Sequence, residues 1–301
     1  MSEFSEYLSS EVVVDYADGL ISRREALHRL ALLGVGAAVA APLLAACDAQ
    51  RADTAAAPTG SPSPAPTGPA GPTPLPTQPI TFAGPQGRTL QGAWAAAATP
   101  RGSVLVVHEN KGLTPHIASV AGRLAAAGWS ALAIDLLSEE GGTAKFTDPA
   151  QATAALNAAP PGRFVADMKA GIDELLRRNP GHTAGAMGFC FGGGAVWSLL
   201  AAGEPRLHAA VPFYGPFPDG ASLSGSPNAA VLGVYAQLDD RVNASRDAAR
   251  DALRKAGLTF EIVTYPGVNH AFFNDTGARF DPEAAAQAWT KLTAWFGEYL
   301  T

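Results

Sequence analysis

Cysteine is nearly missing from this 301-residue chain: there are two, Cys47 and Cys190, in such different surroundings that a disulfide between them is not expected. Charge is sparse too. Only 16% of the residues are charged and the net charge is −6, while residues 80–301 hold 17 basic and 19 acidic side chains. Without a basic excess, a nucleic-acid-binding surface is excluded. Metal-ligand spacings such as HExxH and CxxC are absent, as are glycine-rich phosphate loops ending in Lys-Ser/Thr, so the pattern implies neither metal nor cofactor. What the chain has in quantity is apolar side chains, 47% of all residues, beside 32 glycines and 24 prolines. That is ample for a packed core, with loop or linker besides.

Cys47 closes a stretch that reads as an address. Ser22-Arg23-Arg24 precedes an apolar run from Leu30 to Ala46, which contains Gly34, Gly36 and Pro42 and ends in Leu44-Ala45-Ala46-Cys47. Its length and its alanine content suit a signal core better than a permanent span. The stretch resembles a twin-arginine export signal joined to a lipoprotein processing site, with Cys47 as the lipidated residue, although Ala26 stands where such signals commonly have Phe. An uncleaved anchor helix is the alternative. Either reading places the protein at a membrane, and the lipoprotein reading has it exported and lipid-anchored on the outer side of a bacterial cell membrane. After residues 1–47, nine prolines between 58 and 79 predict an extended spacer over 48–79, because proline fixes φ and removes donors.

Residues 80–301 read as one α/β domain. Apolar runs over 92–97, 104–108, 130–135, 184–188, 209–214, 231–236 and 260–265 predict buried strands. Helical periods separate them: Ile117, Val120, Ala121 and Leu124; Phe164, Met168, Ile172 and Leu175; Trp289, Leu292, Trp295, Phe296 and Tyr299. Asp281-Pro282 supplies a cap and first-turn proline for the last of these. The order predicts a mostly parallel central sheet with helices on both faces, and ligands beyond the carboxyl ends of its strands.

At one such end stands Gly188-Phe189-Cys190-Phe191-Gly192, followed by a helical run. This is the pattern of a strained strand-to-helix turn that presents a nucleophile, with glycines where side chains would collide. A helix N-terminus there favours a thiolate. Two later strands are followed by loops carrying Asp239 and His270. The chain order nucleophile, acid, histidine is that of an α/β-hydrolase triad, with Asp240 as rival acid. Of six histidines only His270 follows a late strand, and His108 and His116 flank the 109–114 loop.

With GFCFGG, LDDRV, YPGVNHAFFND and HENKGLTPHI in place, residues 80–301 resemble the dienelactone hydrolase family. The resemblance implies an α/β-hydrolase fold, a cysteine-dependent hydrolase of esters or lactones, Glu109 as an acid that influences the thiol, and an oxyanion hole from the backbone amides of Asn110 and Phe191. It departs from the family at Asn274, where family members have an arginine that holds a carboxylated lactone. Tyr214 and Phe272 are candidates to line a more apolar pocket, and core packing would explain them equally well. The partners expected are therefore a small-molecule ester or lactone and a membrane. A lipid-anchored solute-binding protein without turnover is the rival class.

Overall fold

The computed structural model describes residues 3–54 and 68–300. In chain order its helices are α1 (Glu3–Ala17), α2 (Arg23–Leu32), α3 (Ala37–Thr54), α4 (Pro115–Ala126), α5 (Pro149–Ala158), α6 (Pro161–Arg178), α7 (Phe191–Ala201), α8 (Asp240–Asn243), α9 (Arg246–Ala256) and α10 (Pro282–Tyr299). The strands are β1 (Gln78–Ala83), β2 (Thr89–Ala95), β3 (Ser103–Val107), β4 (Ser130–Asp135), β5 (Ala184–Phe189), β6 (Leu207–Phe213), β7 (Ala230–Ala236) and β8 (Phe260–Tyr265). Two compact units result, one of residues 1–65 with 146–159, the other of 66–145 with 160–301.

The smaller unit is helical. Side chains one turn apart are buried on each of its first three helices: Leu8, Val12 and Tyr16; Ala26 and Leu30; Ala40 and Leu44. The Ser22 side chain caps α2 by accepting from the Glu25 N–H at 3.2 Å. The apolar run expected as one signal core is divided between α2 and α3, with Gly34 at φ +80° between them. Among the described residues no helix is long and apolar enough to cross a membrane. Cys47 lies in α3, outside the residues whose side chains are described.

The larger unit is built on an eight-stranded sheet of order β1-β2-β4-β3-β5-β6-β7-β8. β1 and β2 pair antiparallel, as do β2 and β4, and every other pairing is parallel. Every residue of β3, β4, β5 and β7 is buried, which explains their unbroken apolar runs, because helices cover a parallel sheet on both faces. α4 packs on β2, β3 and β4, α6 on β3 and β4, α7 on β5 and β6, and α10 on β6 and β7. This is the mostly parallel α/β-hydrolase architecture expected.

The expected spacer over 48–79 is corrected by the structure. α3 runs to Thr54, residues 55–67 lie outside the described ones, and Gln78 and Pro79 already belong to β1. Residues 68–77 lie on the domain, with Ala70 buried. The Leu75 N–H donates to the Gly122 carbonyl at 3.1 Å, and Arg123 Nη1 donates to the Ala70 carbonyl at 2.8 Å. A Cβ on Gly122 would stand 2.3 Å from the Leu75 carbonyl oxygen, so the glycine in α4 is what lets the strap approach. Proline does remove backbone donors, but the remaining carbonyls and one N–H suffice to fasten the segment.

Candidate active site

The site forms where β5 hands over to α7. Cys190 sits at φ +59°, ψ −119°, a region an L-residue adopts only under constraint from its surroundings. The constraint is backbone packing. A Cβ on Gly188 would meet the Gly192 carbonyl oxygen at 2.2 Å, and one on Gly192 would meet that of Val107 at 2.4 Å. Gly193, not expected to matter, is held as tightly, since its Cβ would lie 2.4 Å from the Phe213 carbonyl oxygen. The Cys190 N–H donates to that same carbonyl at 3.1 Å, while the Cys190 carbonyl accepts from the Gly194 N–H at 3.1 Å. Cys190 thereby becomes the N-terminal flank of α7, and Phe191, one of the two expected oxyanion donors, its first residue.

The structure brings Asp239, rather than Asp240, against His270. Asp239 leaves β7 and caps the short α8, its Oδ1 accepting from the Val242 N–H at 3.4 Å, and its Oδ2 lies 2.5 Å from His270 Nδ1. Asp240 is exposed. Burial works against the Asp239 carboxylate, but His270 and, behind it, Arg241 outweigh burial and hold its pKa below the ordinary value. An ionised acceptor at Nδ1 keeps that nitrogen protonated, which assigns Nε2 as the basic one. A ring nitrogen of His270 and the Cys190 sulfur lie within 4.8 Å of each other.

Glu109 and Asn110 follow β3, beside the elbow. A Cβ on Gly192 would also meet the His108 carbonyl oxygen, at 2.5 Å, and the His108 ring stacks on Phe191 with centroids 6.2 Å apart. His108 is fully buried, donates from Nδ1 to the Glu109 carbonyl at 2.6 Å and accepts at Nε2 from the Leu136 N–H at 3.0 Å. Burial lowers its pKa, against the opposing pull of Asp135 and the Glu109 carbonyl, so the imidazole is a neutral strut. Sequence reasoning missed the other half of this support. Asp135, ending β4, accepts from the Thr143 N–H at 2.7 Å and hydroxyl at 2.8 Å, and that hydroxyl accepts from the Leu113 N–H at 2.8 Å. An aspartate at the carboxyl end of a strand was the available signal. His116 turns to Asp275, Nδ1 to Oδ1 at 2.5 Å, and Arg123 joins the same carboxylate at 3.3 Å.

Tyr214 and Phe272 are both buried, with ring centroids 5.6 Å apart, and Tyr214 meets the His270 ring edge-on at 5.0 Å. Burial, then the charges of Glu109, Cys190 and Asp239, push the Tyr214 phenol well above its ordinary pKa. The phenol therefore stays neutral among these three groups. Tyr214 is itself at φ +33°, and its N–H is tied to the Val234 carbonyl at 2.7 Å.

Strand order, strained elbow and acid–histidine pair together define an α/β hydrolase. Comparison with known proteins narrows the class. The model of the dienelactone hydrolase family matches residues 91–300. A protein of Escherichia coli O157:H7 named "Putative carboxymethylenebutenolidase" is 34% identical over 209 residues, covering 65% of this chain and 76% of its own. One of the same name from Methylorubrum extorquens is 32% identical over 220 residues, 69% and 75% of the two chains. A crystal structure described as a putative dienelactone hydrolase from Klebsiella pneumoniae superposes with a TM-score of 0.65 at 31% identity, over 75% of this chain and all of its own. The chain belongs to the dienelactone hydrolase family, whose members are hydrolases of the ester or lactone type.

Proposed function

We propose that the protein hydrolyses small esters or lactones without a carboxylate of their own, through an acyl-enzyme on Cys190. The observation that supports this most is the pairing of a strained cysteine with His270, a ring nitrogen of which lies within 4.8 Å of the sulfur, while Asp239 holds the Nδ1 of that ring. The Cys190 sulfur attacks the carbonyl carbon while His270 Nε2 takes the thiol proton, and the backbone amides of Asn110 and Phe191 hold the oxyanion. Collapse breaks the ester C–O bond, and His270 gives the proton to the leaving oxygen. Water, deprotonated by His270, then attacks the thioester, and the proton returns with departure of the sulfur, leaving acid and free enzyme. The names of the relatives point to the same carbonyl chemistry. Asn274, standing where the family's arginine is expected, argues against a carboxylated lactone, because an anion buried without a cation is strongly disfavoured. Tyr214 and Phe272 suit an apolar acyl or alcohol group. Cys190→Ala abolishes turnover of a neutral ester panel and Cys190→Ser keeps a small residue of it. A slow ester leaves an acyl mass on the Cys190 peptide. Full turnover by the alanine variant ends the proposal.

We further propose export and lipid anchoring at Cys47, supported by the twin arginines, by Leu44-Ala45-Ala46-Cys47, and by Val39 and Leu43, which stay exposed on α3. Wild type is expected in the membrane fraction and Cys47→Ala in the soluble one; identical distributions refute the anchor.

A further inference from the structure

The turn after the catalytic-loop histidine does something that neither the fold nor the family assignment requires. Asn274 Nδ2 donates to Glu109 Oε2 at 2.7 Å, joining the loop after β8 to the loop after β3. Which way the amide points is settled by its other end: Asn274 Oδ1 accepts from the Thr276 N–H at 3.0 Å and from the Thr276 hydroxyl at 2.7 Å. A flipped amide would lose all three bonds. The next residue, Asp275, is anchored in turn by His116 and by the fully buried Arg123, so the turn has little freedom to follow Glu109 if the carboxylate moves.

We infer that Asn274 is the positioning residue of Glu109: its amide, locked by Thr276, fixes where the carboxylate stands beside Cys190, and its neutrality adds no charge of either sign to that position. The inference rests on the proposal that Cys190 is the nucleophile. The loop that carries Glu109 adjoins the elbow, since a Cβ on Gly192 would meet the carbonyl oxygens of Val107 and His108 at 2.4 Å and 2.5 Å, and the charges of Glu109 and Cys190 both bear on the buried Tyr214 phenol. A carboxylate near a thiol disfavours the thiolate, and a second negative charge there disfavours it more. Asn274 thus sets how readily the nucleophile ionises without touching substrate.

The test is the pH dependence of iodoacetamide alkylation at Cys190 in the full chain, followed on the Cys190 peptide by mass spectrometry. Asn274→Asp raises the alkylation midpoint by about one pH unit, as an added like charge should. Asn274→Ala, which removes this hydrogen bond to the carboxylate without adding charge, shifts the midpoint and lowers kcat for a neutral ester by about tenfold with little change in KM, the pattern of a lost positioning contact. Asn274→Gln, keeping an amide, recovers part of kcat, and Thr276→Val gives a smaller loss in the same direction. Wild-type midpoints in folded Asn274→Asp and Asn274→Ala overturn the inference; if only one variant folds, its midpoint decides. Alkylation reads thiol ionisation whether or not an acyl-enzyme forms, so failure here is distinct from failure of the hydrolase proposal, which the turnover of Cys190→Ala decides.

Discussion

Two loops meet at the candidate site and are held by different forces. On the nucleophile side backbone packing fixes the turn: Gly188, Gly192 and Gly193 bring backbone to backbone, and Cys190 is strained because there is nowhere else for it to go. On the acid–base side, Asp239 is held by the Val242 N–H and by His270, a charge-assisted contact between buried groups. Steric constraint is short-ranged and indifferent to pH, whereas the carboxylate–imidazole pair depends on protonation and on its exclusion from water. The elbow should therefore fail through added volume, and the pair through changed charge.

The largest effect follows from the first half of that contrast. Gly192→Ala would place its Cβ 2.4 Å from the Val107 carbonyl oxygen and 2.5 Å from that of His108, and neither strand nor loop backbone can yield cheaply. A loss of about 3 kcal/mol or more, or failure to fold, is expected in denaturant unfolding. Gly194→Ala is the control. Its Cβ would meet the Pro216 side chain at 3.3 Å, and a cost of about 1 kcal/mol or less is expected because a shift of about a few tenths of an ångström relieves the contact. Equal costs would mean the elbow is not held by backbone contact.

Changed charge should instead spare the fold and remove activity. Asp239→Asn keeps the shape but can no longer fix the Nδ1–H tautomer of His270 or stabilise its cation, and a kcat loss of about a thousandfold or more is expected. Asp240→Asn, on an exposed side chain, should cost less than about twofold, within the usual range of surface substitutions. Similar losses in the two would show that Asp239 does not act through His270.

The same contrast explains what could be read from the sequence. Buried strands and amphipathic helices announce themselves by periodicity, and Phe164, Met168, Ile172 and Leu175 do line the buried face of α6. β1 escaped because Gln78–Ala83 is an exposed edge strand with only Phe82 buried, so it lacks an apolar signature, and a proline-rich neighbour disguised it. The packed strap over 68–77 was hidden for a related reason: its partners are Gly122 and Arg123, residues that give no hint of a contact some fifty positions away. At the site, motif residues were legible because their chemistry depends on residue type. Asn274 was noticed only as a missing arginine, since the bond it makes to Glu109 depends on how two loops converge. Gly193 and Asp135 belong to the same class, where the side chain means little until the neighbouring backbone is placed.

The smallest expected effect concerns the strut between the Glu109 loop and the elbow. His108 has its pKa lowered from 6.5 by burial, so between the ordinary value and the lower folded one the unfolded chain binds a proton that the folded chain does not. Stability then rises with pH across that window, and is lost as pH falls from about 6.5 toward the folded value. The Asp239 carboxylate, whose pKa is depressed below 3.8, contributes stability that is lost only at lower pH, as the pH falls through that depressed value, so the two can be separated. Urea unfolding of the wild type at several pH values between 7 and 5 should show a decline that His108→Gln flattens, even if the variant is less stable throughout, since Leu136 N–H and Phe191 lose their partner. Parallel curves for wild type and variant would mean that His108 titrates alike in both states. The neutral strut would then be wrong, and with it the account of how the Glu109 loop is pinned to the elbow.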